Sequence, residues 1–164
     1  MKTLLILLGS TLAGLAISAR ADAGASESIQ KEVTMTARGM FEVKVTPQPQ
    51  DDNAGGRFDR LFIDKQFHGE LEAVSKGQML AARTAVEGSG AYVALESVTG
   101  RLNGRRGTFI LQHRGTMSKG VYMMHVTVVP DSGTDELAGI AGTMTIIIEG
   151  SKHSYSFDYT LGGN

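Results

Sequence analysis

The chain has 164 residues, with 16 lysines and arginines against 17 aspartates and glutamates for a formal net charge of −1. That balance argues against a phosphate-tracking surface and so against a nucleic-acid partner. The absence of cysteine excludes disulfide staples, thiolate metal sites and thiol nucleophiles, and the absence of tryptophan leaves few stacking platforms.

In chain order, Lys2, the apolar run Leu4 to Ile17 and the small-x-small site Ala21-Asp22-Ala23 predict a cleavable export signal over residues 1–23. Gly9, Ser10, Thr11 and Gly14 interrupt the run, which falls short of the roughly 20 apolar residues a membrane-spanning helix needs. The mature chain is expected to begin near Gly24, to be periplasmic or secreted, and to keep no stable membrane anchor. Removing 23 of 164 residues leaves 141; two basic residues (Lys2, Arg20) and one acidic residue (Asp22) go with them, so the mature balance is −2. Residues 24–32 read as a flexible leader and 33–164 as one domain.

From Val33 the pattern has period two. Val33, Met35, Ala37 and Gly39 alternate with polar residues, as do Phe41, Val43 and Val45, before a loop at Thr46 to Arg57. A long stretch follows over Arg60–Ser75, with a bend or bulge expected at Gly69. Further strands are predicted at Gln78–Glu87, Ala91–Thr99, Thr108–Met117, Tyr122–Val129, Thr143–Glu149 and His153–Leu161, with a wide loop around Asn103-Gly104 bounded by Gly100 and Gly107. No span carries a 3.6-residue apolar period. About eight strands with short connections predict an all-β fold: an antiparallel up-and-down barrel, with a two-sheet sandwich as the alternative.

Motifs of known mechanism are missing. Gly88-Ser89-Gly90 lacks the spacing of a hydrolase elbow, and neither Gly104–Gly107 nor Gly115–Gly120 forms a phosphate loop. His68, His113, His125 and His153 fall singly on different strands; the nearest metal-like set, His68, Glu70 and Glu72, is interrupted by Gly69 and reads as a solvated face, so neither metal nor cofactor is expected. Glu96 shares a strand face with Tyr92, Ala94 and Val98, which makes it the carboxylate best placed among apolar neighbours, either as a structural acceptor or as a site residue. His113 alternates with Phe109, Leu111 and Gly115, and Lys65 with Ile63 and Phe67. Lys65, Tyr92, Glu96 and His113 are therefore the candidate ligand-binding residues; Tyr92, Glu96 and His113 are also the catalytic candidates should there be chemistry. Three functions fit: a binding module holding a small hydrophobic or amphipathic molecule, a cofactor-free cyclase or isomerase, or a structural barrel filled by its own side chains. The first is favoured.

Six segments carry a resemblance: Ala37–Val43, Asp64–Leu71, Gly90–Glu96, Leu111–Gly115, Val129–Thr134 with Leu137-Ala138-Gly139, and Lys152–Tyr159. In order and over nearly the whole mature chain, they resemble a family of small bacterial proteins of unknown function, the domain-of-unknown-function family 3224. The resemblance implies a barrel similar to allene oxide cyclase, with a lipocalin-like shape. By analogy of fold it sets Glu96 beside the buried glutamate of the plant cyclase, and it implies no activity of its own.

Overall fold

A computed structural model describes residues 33–49 and 58–162. The expected export signal, the leader and residues 50–57 of the predicted loop lie outside the described residues. Eight strands follow in order: β1 (Met35–Pro47), β2 (Asp59–Gly69), β3 (Leu71–Arg83), β4 (Gly90–Leu102), β5 (Arg105–Ser118), β6 (Val121–Val128), β7 (Ile140–Glu149) and β8 (Lys152–Leu161). All neighbours are antiparallel, and β1 also pairs with β8, so the sheet closes into a barrel. Closure removes the free edges that an open sheet of this length exposes. Among the described residues a 3-10 turn, Asp135–Leu137, interrupts the all-β pattern.

Two sequence expectations need correction. The stretch Arg60–Ser75 is not one bent strand; the chain reverses at Gly69, whose φ of +102° suits a residue without a side chain. A strand glycine reads equally as a bulge or as a turn, and period-two patterning continues through both. Nor is the Asn103-Gly104 connection wide: both residues take positive φ (49° and 81°) and join β4 to β5 directly, with Leu102 opposite Arg105.

The period-two alternation decides which residues face inward. Along β5, Gly107, Phe109, Leu111, His113 and Gly115 are buried while Gln112, Arg114 and Thr116 are exposed. The end of the barrel that holds the start of β1 is packed solid by Leu71, Leu102, Phe109, Leu137, Ile140, Phe157 and Tyr159, none more than 2% exposed. Phe157 stacks between Phe109 and Tyr159 at centroid distances of 5.7 and 5.3 Å.

That closed end has an irregular wall. β5 pairs with β6 only from Leu111 onward, so the first half of β5 lacks a strand neighbour on that side. The β6–β7 connection stands in for one: Glu136, Thr134 and Ser132 side chains accept hydrogen bonds from the backbone N–H groups of Arg106, Thr108 and Ile110 at 2.7, 3.0 and 3.0 Å. Its Leu137 fills the barrel floor. Unpaired backbone donors are thereby satisfied one by one.

At the opposite end the inward-facing residues are only half covered or exposed. Val45 is 45% exposed, Met117 39% and Ile148 56%, with Met79, Tyr92, Met124 and Ile146 partly buried. Leu137→Ala should lower unfolding free energy by about 2–5 kcal/mol, the usual range for a buried leucine. Ile148→Ala should stay within about 0.5 kcal/mol of the native protein. Urea denaturation of both variants checks the asymmetry.

Candidate functional site

The strand register assembles one polar cluster at mid-height in the lumen. Lys65 on β2 lies opposite Ser75 on β3, and Glu96 on β4 lies opposite Gly77, one inward position along from Ser75. Gly77 has no side chain, and a Cβ there would stand 2.7 Å from the Leu95 carbonyl and 3.1 Å from the Glu96 Cα, so the close approach of β3 to β4 requires glycine. His113 on β5 is opposite Ala94 and reaches Glu96 diagonally.

The resulting contacts are short. The Lys65 ammonium donates to Glu96 Oε2 at 2.7 Å, the Ser75 hydroxyl donates to Oε1, and His113 Nε2 approaches Oε2 to 2.9 Å. That last approach is off the N–H axis, for His113 Nε2 makes no hydrogen bond of good geometry. The lysine head also sits 5.0 and 5.5 Å from the ring centres of Phe41 and Phe67, close enough for cation–π attraction. Glu96 has no exposed surface, and Ser75, His113 and Lys65 are 3, 3 and 7% exposed.

Burial alone would raise the Glu96 pKa, yet the imidazole, ammonium and hydroxyl around it outweigh desolvation and hold it at about 2. Among them the ammonium is the firmest partner, because it is charged and rotates to meet the carboxylate, whereas the imidazole N–H is fixed in its ring plane. Lys65, Glu96 and His113 thus meet as an enclosed polar cluster around an ionised carboxylate.

Tyr92 stands apart from them, farther toward the open end. It lies opposite Gly115, where a Cβ would come within 2.1 Å of the Tyr92 ring, so glycine lets the ring cross the strand. Its hydroxyl donates to the thioether of Met124 at 2.9 Å and accepts from Tyr122 at 3.1 Å. Burial, followed by the Tyr122 hydroxyl, pushes the Tyr92 pKa well above its ordinary value. A recess of about 430 Å³ opens here beneath the β3–β4 loop, lined inward by Ala81, Tyr92, Gly115, Met117 and Tyr122. The rim is tied: the Lys119 N–H donates to Ser89 Oγ and the Gly120 N–H to the Gly88 carbonyl, both at 2.9 Å.

Ser75 is the member of the cluster that sequence reasoning missed. Its only signal was its place in the inward phase after Leu71 and Ala73. The set His68, Glu70 and Glu72 is separated by the reversal at Gly69, and His68 instead contacts Glu42 at 2.7 Å on the outside. A depression of about 990 Å³ runs along β2–β5, lined by the outward-facing Phe62, Gln78, Leu80, Val93 and Leu95 and bordered by Glu96 and His113, of which Glu96 has no exposed surface and His113 3%.

Residues 37–159 match the family described as protein of unknown function (DUF3224). The chain belongs to the DUF3224 family. Among solved structures it is similar to the crystal structure of a DUF3224-family protein of unknown function from Shewanella oneidensis MR-1, with 46% sequence identity, a TM-score of 0.75, and coverage of 80% of this chain and 100% of that one. No curated protein matches the chain.

In this DUF3224 barrel the depressed Glu96 pKa links folding to acid. A carboxylate at about 2 when folded and 4.5 when free contributes stability that is complete above pH 4.5 and is lost as pH falls toward 2. The shift corresponds to a contribution on the order of 3 kcal/mol. Glu96→Gln should lack that share of the acid-dependent loss, and at neutral pH it should be less stable by about 3–5 kcal/mol because Lys65 is left without its counter-charge. Chemical denaturation from pH 7 down to pH 2 measures both.

Proposed function

We propose that this protein is a binding module that holds a small hydrophobic or amphipathic molecule at the open end of its barrel. The observation that carries the reading is the unequal treatment of one inward-facing residue set: at one end it packs to near-zero exposure, at the other it leaves methionine, isoleucine and tyrosine partly or largely exposed among the described residues. A recess of about 430 Å³ is within the range of small-ligand sites, roughly 300–1,000 Å³. The Tyr92 and Tyr122 hydroxyls supply a polar point on an apolar rim.

The polar cluster acts beneath this mouth as a floor. A cyclase or isomerase needs its acid or base to reach the substrate. Glu96 is fully covered and Lys65 and His113 nearly so, which favours binding over cyclase chemistry. A barrel filled entirely by its own side chains is disfavoured by the exposed inward residues of the mouth.

Incubated with a lipid and metabolite extract and analysed by mass spectrometry, the native protein should retain apolar or amphipathic molecules. Ala81→Trp, which fills the recess, should lose them while keeping its melting temperature. Glu96→Gln, though less stable, should alter affinity without abolishing retention. Failure of the native protein to retain any molecule favours the filled barrel, and turnover abolished by Glu96→Gln favours the cyclase.

Export is part of the proposal, supported by Lys2, the Leu4–Ile17 run and the Ala21-Asp22-Ala23 site. Expressed in a Gram-negative host, the protein should be recovered outside the cytoplasm with its N-terminus near Gly24. Cytosolic protein retaining Met1 would refute export.

A further inference from the structure

The seam between β6 and β7 differs from every other in the barrel. It is paired only at Val126–Met144 and Thr127–Thr143, whereas each remaining seam is paired at six or more positions. Toward the open end, Val121–His125 of β6 and Thr145–Glu149 of β7 therefore face each other without a ladder. A cavity of about 450 Å³ occupies the gap. Its lining takes inward-facing residues (Tyr122, Met124, Ile146, Ile148) and outward-facing ones (His125, Thr145) from both strands, and no continuous ladder forms a floor beneath it.

We infer that this seam is a lateral binding slot for a single-chain amphiphile with an anionic head, the chain lying between β6 and β7 and the head on the outer surface. The inference rests on the binding reading above and deepens it, since Tyr122 lines both the slot and the mouth recess. Three observations point to this chemistry. The inner lining is methionine, isoleucine and tyrosine, which suits an alkyl chain, and methionine adapts to irregular apolar partners. On the outer face His125 lies directly opposite Arg114 of β5, a basic pair at the slot's outer edge. Finally, at the closed end three successive free N–H groups of β5 are each given a side-chain acceptor, so the bare edges at this end are a local departure within a fold that otherwise satisfies them.

The test uses dansyl-labelled undecanoic acid as the probe and exploits the lack of cysteine. Continuing the register past Val126–Met144 sets Met124 opposite Ile146, so Met124→Cys with Ile146→Cys permits the two strands to be tied by a short bis-maleimide. The untied double variant sets the reference rate, and the tied form should associate about tenfold or more slowly than it. Ile148→Trp, a change at a residue already 56% exposed, should slow association without the cross-link. Arg114→Ala with His125→Ala should weaken the acid probe several-fold and leave dansyl-labelled undecanol unaffected. Equal rates in tied, Trp-substituted and untied protein, with the probe still displaced by Ala81→Trp, overturn the slot and leave the mouth reading standing. No binding of the probe by the native protein overturns both.

Discussion

Closure of eight strands fixes how much the inside of this molecule can hold. A barrel of that order has a lumen about as wide as the side chains that fill it, so each inward position is a choice between packing and space. Toward the floor the choice is packing: Phe109, Phe157 and Tyr159 form a stacked column, and Leu137 enters from the β6–β7 connection to complete it. Toward the mouth the same inward phases carry Val45, Met79, Tyr92, Met117 and Ile148, which stay partly or largely exposed. Gly115 there admits the Tyr92 ring across the strand.

The ion pair at mid-height marks the boundary between these halves. Burying Lys65 and Glu96 costs several kcal/mol of hydration per charge, which their attraction offsets only when further hydrogen bonds complete the pair. Ser75, His113 and the Phe41 and Phe67 rings supply that completion. An apolar pair of equal volume would be at least as stable by the same reasoning, so stability alone does not explain the cluster. Its effect is to fix register: Lys65 and Glu96 belong to strands separated by β3, and a one-residue slip on either side turns a charge out of the lumen.

Much of this was legible in the sequence because period two is a geometric property of strands. The inward phases of β4 and β5 can be read from Tyr92–Val98 and Phe109–Gly115 without coordinates, which is why Glu96 and His113 stood out. The meeting of Lys65 with Glu96 was not legible, since it depends on the register of three strands and on where the chain turns. Gly69 hid that turn, a glycine inside an alternating pattern being equally compatible with a bulge. Ser75 was invisible for a different reason: one small polar residue among alanines and leucines carries no chemical signal until an acceptor is opposite it.

The two irregular places in the wall are best understood together. β6 is the shortest strand, so it cannot cover β5 at the closed end and also hold β7 at the open one. At the closed end Ser132, Thr134 and Glu136 recur every second residue and meet every second N–H of β5, a side-chain imitation of the missing strand. At the open end the residues beside the gap are Tyr122, Met124, Ile146 and Ile148, which offer no such imitation and leave apolar surface beside unpaired backbone. An exposed edge of that composition is usually blunted by charge, proline or a covering loop. Glu149 and the basic Arg114–His125 pair lie at its margins, while the apolar lining remains uncovered between them. Such an arrangement is costly for a barrel that only has to stand, and it is what a barrel that admits a chain through its side requires.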